Sequence, residues 1–231
     1  APSRGLGDVY KRQDLVYRVL GKPGVSVVKP SYGFPGASIV FEGQEFVSSK
    51  TLYTLTFGTS TDKAEIVGTP IDTEFMAKIP ETAVSGVMTL IMAEQTIDLA
   101  SYPFTVLKHA TLDTPKEDEP VPSGFAGSKF AITGTNLVQE LLDKSVEGLE
   151  PLKVTFSKAG GEPVEAAIDT DNLTDKSIPL TVPASLEAGD YTITVITPFE
   201  TIGTQLKYTV LPMPTVTGIS TKAGYINAEV T

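Results

Sequence analysis

SYGFPGASIVFEGQEF, residues 31–46, returns 91 residues later as PSGFAGSKFAITGTNL, residues 122–137. Without a gap, Gly33, Phe34, Gly36 and Gly43 fall on Gly124, Phe125, Gly127 and Gly134. A second match lies downstream: IPETAVSGVMTLIMA (79–93) parallels VPASLEAGDYTITVI (182–196), aligning Pro80 with Pro183 and Gly86 with Gly189 at an offset of 103. Self-similarity of this kind marks a repeated structural unit. The growth of the offset from 91 to 103 requires extra residues between the matched blocks of the second copy, within 137–152 and the polar stretch 169–176.

The two ends of the chain match as well. Residues 15–40 run in register with 206–231 at an offset of 191, pairing Leu15 with Leu206, Tyr17 with Tyr208, Pro23 with Pro214 and Val25 with Val216. That register predicts the last strand of a preceding repeat at 14–22, complete units at 23–107 and 108–212, and the start of a further unit at 213–231. Residues 1–13 have no counterpart, and DVYKRQ within them resembles the translation of a transposon mosaic-end adaptor used in sequencing libraries. They are expected to be non-native.

Within each unit the patterning is that of β-strands. DYTITVI (190–196) alternates Tyr191, Ile193 and Val195 with Thr192 and Thr194, as a strand with one buried face does. Strands of this type are predicted at 25–28, 39–41, 52–57, 75–79, 87–92, 130–133, 154–156, 178–182 and 206–211, with turn residues every eight to twelve positions or so, the spacing of a sandwich. One helix-like segment, 138–146, is too short to alter the class, and 17 prolines and 20 glycines oppose long helices.

A proline-led strand, a Gly-aromatic-x-Gly turn, a β-branched strand and a Gly-x-x-Phe/Leu exit resemble the IPT/TIG domain. The residues are Pro23, Gly33, Phe34, Gly36, Gly43 and Phe46 in one unit and Gly124, Phe125, Gly127, Gly134, Asn136 and Leu137 in the other. Asn136 matches the family's usual pattern, whereas Glu45 stands at the same place in the first unit. The resemblance covers 14–231 and implies an all-β chain of tandem immunoglobulin-like β-sandwiches. Physics accounts for the motif without a ligand: the glycines supply positive φ or close backbone approach, and Phe34 or Phe125 plugs an end of the sandwich.

Composition narrows the function. Charges are 18 basic against 28 acidic, a net of −10, which repels nucleic acid and anionic membrane surfaces. No apolar run reaches membrane-spanning length, so no membrane insertion by this segment is expected. There is no cysteine, hence no disulfide, thiol nucleophile or Cys-based zinc site. The acidic, Cys-free chain is set apart from Rel-type DNA-binding proteins and from Cys-rich plexin-type receptors, which also carry such domains.

Candidate chemistry is sparse. His109 is the one histidine and reads as a linker residue; no G-x-S-x-G elbow positions a serine; and no catalytic residue or cofactor is expected. Asp169, Asp171 and Asp175 invite a calcium reading. Leu173 and Thr174 break the EF-hand template, leaving an Asx-rich hairpin loop as the default. Asn172-Leu173-Thr174 spells a glycosylation sequon. The acidic run DTPKEDEP (113–120) reads as an exposed loop or a charged edge strand. For sugar stacking, Tyr32, Tyr53 and Tyr102 are the candidate exposed rings.

These features predict a non-enzymatic spacer or interaction module of a larger extracellular or cell-surface protein, its signal or anchor upstream and its partner a protein or a polysaccharide. The family resemblance adds two alternatives: part of a glycan-binding surface protein of gut-type Bacteroidetes, or accessory domains of a carbohydrate-active enzyme.

Overall fold

The computed structural model describes residues 21–116, 118–203 and 206–218. The expected strand at 15–20, the adaptor-like segment 1–13 and most of the further repeat at 213–231 lie outside them.

In chain order the first ten strands are β1 (Gly24–Lys29), β2 (Tyr32–Gly33), β3 (Ser38–Gln44), β4 (Tyr53–Thr56), β5 (Glu65–Ile71), β6 (Glu74–Lys78), β7 (Gly86–Val87), β8 (Thr89–Met92), β9 (Gln95–Ile97) and β10 (Pro103–Val106). The next ten are β11 (Thr111–Leu112), β12 (Ser123–Gly124), β13 (Lys129–Thr135), β14 (Lys153–Ser157), β15 (Val164–Glu165), β16 (Ala167–Ile168), β17 (Ser177–Thr181), β18 (Gly189–Ile196), β19 (Thr201–Ile202) and β20 (Lys207–Val210). The helical content of the described residues is two single 3-10 turns, Lys50–Leu52 and Thr170–Asn172. The described residues group into two compact units, 21–30 with 36–103, and 31–35 with the remainder from 104 onward.

The second unit shows the architecture in full. One sheet has the order β11-β13-β17-β16 and the other β12-β20-β18-β14-β15, with β19 on the flank of β18. The entering chain contributes β11 to one sheet and β12 to the other. This is the immunoglobulin arrangement of a four-stranded sheet facing one built from the third, sixth and seventh strands. Its core holds Ile132, Val154, Phe156, Ile178, Leu180, Ile193, Val195 and Tyr208, with the Phe156 and Tyr208 rings edge to face at 5.7 Å.

In the first unit, β1-β3-β6-β5 repeats the four-stranded order, and β4-β8-β9 forms a second sheet. Alternation decides which side chains enter: Ile39 and Phe41 of β3 are fully buried, while Val40 and Glu42 face outward. Phe75 sits at the centre, stacked on Phe41 at 4.5 Å and edge-on to Phe46 at 5.1 Å. Burying a ring of this size contributes about 2–3 kcal/mol.

The repeated glycines have two separate causes. A Cβ on Gly43 would collide with the carbonyl oxygen of Gly24, and one on Gly134 with that of Thr111, so the first and second strands close up only over glycine. Gly36 and Gly127 instead have φ of +83° and +82°, and a Cβ would meet only ordinary contacts at Gly36 and open space at Gly127, a conformational requirement alone. Strand pairing locates the extra residues of the second unit: Leu55 faces Leu90, and Phe156 faces Ile193, an offset of 101 for the inner pair. Most of the insertion therefore lies in 137–152.

Two expectations are corrected. Residues 138–146 are not helical but run as bends and turns. Phe125 does not plug the sandwich, since it is 39% exposed, and Phe34 is half-buried against a ring described below.

Candidate functional site

Tyr53 is not an exposed ring. It lies on the inward face of β4, 8% exposed, 4.9 Å from the Phe75 centroid, with its hydroxyl donating to the Val47 carbonyl at 2.7 Å. Burial pushes its phenol up to about 12. Tyr102 is half-buried and donates to the Val25 carbonyl at 3.3 Å. Tyr32, on β2, is half-buried with Phe199 at 5.3 Å in an edge-on arrangement. Tyr53 and Tyr102 fall in the first unit and Tyr32 in the second.

The second unit carries a cluster that sequence reasoning did not assemble. His109 stacks on Phe34 with centroids 4.2 Å apart and planes 2° from parallel. Its Nδ1 lies 2.9 Å from Oε2 of Glu200, and the other oxygen of that carboxylate accepts the Ala110 N–H at 2.6 Å. Glu200 is held in turn: its N–H donates to Thr197 Oγ1 at 3.0 Å, and its carbonyl accepts the Thr197 N–H at 2.8 Å. The His109 carbonyl accepts the Asn136 side-chain amide at 3.0 Å. Lys108 exchanges two bonds with the Gln139 amide, and the Leu142 N–H donates to buried Thr105 Oγ1 at 2.7 Å. These bonds pin the start of the insertion to residues 105–110, and the Leu142 N–H is thereby taken from any helical bond. The cluster orients an imidazole and a carboxylate against aromatic rings. It is an anchoring arrangement, with the ring nitrogen nearest Glu200 already engaged.

Asp169 lies ahead of the 3-10 turn Thr170–Asn172 and accepts the Asn172 side-chain amide at 3.0 Å, while the Asp175 carbonyl accepts the Leu137 N–H at 2.9 Å. Among the described residues no three His, Asp or Glu side chains are grouped so as to hold a metal ion, so Asp169, Asp171 and Asp175 form no such set. Among the described residues, likewise, no helix is long and apolar enough to cross a membrane. An open groove of about 540 Å³ runs over the outer face of β13, β16 and β17, between Lys129 and Asp169.

No family model matches this chain, and no curated protein matches it. Solved structures similar to it include the full extracellular region of plexin A4, at 18% identity over 86% of this chain and 16% of that one, TM-score 0.37. Another is SGBP-B of the Bacteroides ovatus mixed-linkage glucan utilization locus in complex with a mixed-linkage heptasaccharide, at 20% identity, 83% and 46% coverage, TM-score 0.30. A third is the gamma-CGTase of alkalophilic Bacillus clarkii, at 15% identity, 81% and 26% coverage, TM-score 0.34. This chain spans less than half the length of each. The immunoglobulin assignment stands on the strand order above, and one fold serves many functions.

Proposed function

We propose that the chain is a non-catalytic extender and interaction module, a run of immunoglobulin-like units within a larger extracellular or cell-surface protein. The observation supporting this reading is the parallel pairing of the entering and leaving strands in the second unit. Ser123 and Gly124 of β12 lie beside Thr209 and Val210 of β20, with Thr209 N–H donating to the Pro122 carbonyl at 2.9 Å and Leu211 N–H to the Gly124 carbonyl at 2.8 Å. Strands that run the same way begin at one end of the unit and finish at the other. The chain is thereby carried across the length of the sandwich, and each such unit adds to reach. The short pair β2 and β10, Tyr32 beside Thr105 and Gly33 beside Val106, is parallel in the same sense.

A second reading, polysaccharide capture, is favoured by the half-buried rings of Tyr32 and Tyr102. Affinity electrophoresis of the full chain against plant and host polysaccharides separates the two. The extender reading expects no retardation; retardation abolished by Tyr32→Ala or by Tyr102→Ala would replace it with capture. Pulling single molecules by their ends supplies a positive test, because a bonded parallel pair is loaded in shear and its bonds break together. Discrete unfolding steps are expected, each releasing roughly 3.6 Å of chain per residue. A featureless extension would count against the extender reading.

A further inference from the structure

We propose that the edge of β13 at Ala131, which no strand pairs, is a docking site for an extended, basic peptide segment of a partner protein, which would enter the hollow beside the acidic loop and add a strand to the sheet. This goes beyond the extender role and does not depend on it.

In the first unit β1 follows β3 as far as Lys29 opposite Val40. The position 91 residues on from Val40 is Ala131, and there the second unit differs. Strand β11 pairs only Thr111 with Thr135 and Leu112 with Gly134, after which Asp113 N–H donates to the Thr133 carbonyl at 2.9 Å. The chain then leaves through the acidic loop instead of continuing alongside β13. In an antiparallel ladder the polar groups of every second residue face the same neighbour, so Ala131 presents its N–H and C=O on the side that Thr133 does. Pro179 stands opposite Ala131 in β17 as a non-hydrogen-bonded pair, its own carbonyl turned to the far side to accept the Asp169 N–H at 2.8 Å. Among the described residues no strand pairs with β13 on the β11 side beyond Thr133.

A hollow of about 220 Å³ lies along this edge, lined by Phe130, Ala131 and Leu206 and walled by the acidic loop through Asp113, Pro115 and Glu119. Glu119 is fixed there, its Oε2 accepting the Lys116 N–H at 3.2 Å. An unpaired strand edge is a template for another chain, with main-chain bonds giving affinity and alternate side chains giving choice. The carboxylates of the acidic loop select Lys or Arg at alternate positions of the incoming strand. A second copy of this chain, net −10, is a poor occupant on the same ground.

The test is amide NMR of the full chain with three peptides: acetyl-Lys-Val-Lys-Val-Lys-amide, its Glu-for-Lys counterpart, and the basic peptide N-methylated at its bonding amides. In the free chain, Ala131 should exchange its amide hydrogen faster than Val40. The basic peptide should shift residues 129–133 saturably and slow Ala131 exchange, with Asp113→Asn plus Glu119→Gln weakening it at least about threefold. The proposal is overturned if Ala131 is as protected as Val40 before any peptide is added. It is equally overturned if the acidic or N-methylated peptide binds as well, if no saturable shift occurs, or if the same signals respond to protein concentration alone, which would make a second copy the occupant.

Discussion

Glu45 and Asn136 occupy the same position of the repeat, 91 residues apart, and both are left-handed, with φ of +57° and +54°. Each uses its side chain to reach the chain ahead of the unit's first strand, but with opposite polarity: Glu45 Oε2 accepts the Gly21 N–H at 3.1 Å, while Asn136 donates to the His109 carbonyl at 3.0 Å. Asn tolerates this conformation better than Glu does. Asn136→Ala is expected to cost about 1–2 kcal/mol, the sum of a strained backbone and a lost bond. Both bonds are exposed, but Glu45→Ala exchanges one residue ill-suited to the left-handed region for another and should cost less. Urea denaturation of the two variants gives the comparison, and equal losses would contradict it.

The glycines sort by cause. Gly134→Ala drives a methyl into the Thr111 carbonyl, whereas Gly127→Ala meets open space and only the penalty of positive φ. The first is expected to lose more than about 3 kcal/mol and the second about 1–2 kcal/mol. Chemical denaturation that ranked them the other way would refute the close-approach account of β11 against β13.

Tyr53 sets a limit at high pH. Its folded phenol, pushed up to about 12 by burial, holds its proton where an unfolded tyrosine, near 10, has lost it. The unfolded chain therefore binds fewer protons between those values, and stability should fall as pH rises from 10 toward 12. Tyrosinate absorbance should show a late-ionising step from Tyr53. That late step should vanish in Tyr53→Phe.

Glu200 is a lynchpin of residues 105–110. Glu200→Ala removes its bonds to His109 and Ala110 together. Hydrogen exchange at the Ala110 amide should accelerate at least about tenfold, with the amides of Ile193 and Val195 unchanged. An unaltered Ala110 rate would show that the stack on Phe34 suffices.

Much of the fold was legible because its long strands alternate and its glycines recur at a fixed offset. The same alternation in YTLTF places Tyr53 with Leu55 and Phe57 on the buried face, so the signal against an exposed Tyr53 was present in the sequence. Two-residue strands such as β12, β15 and β16 are too short to show any period. Strand β5 was hidden by Gly68, at φ +68°, and by Pro70. The pairing of His109 with Glu200 joins residues 91 apart, and only the topology brings them together. Residues 138–146 read as a short, poorly patterned helix-like stretch, and the contacts that keep it from one, the Leu142 N–H to Thr105 and the Gln139 side chain to Lys108, are long-range.

The insertion has a practical side. Its first turn is tied down, but Gly148, at φ +80° with nothing within 4 Å of a Cβ there, belongs to no strand and precedes β14. Fluorophores, affinity tags or whole guest sequences grafted at that point should leave both sheets undisturbed, which makes it a natural handle for watching the module at work.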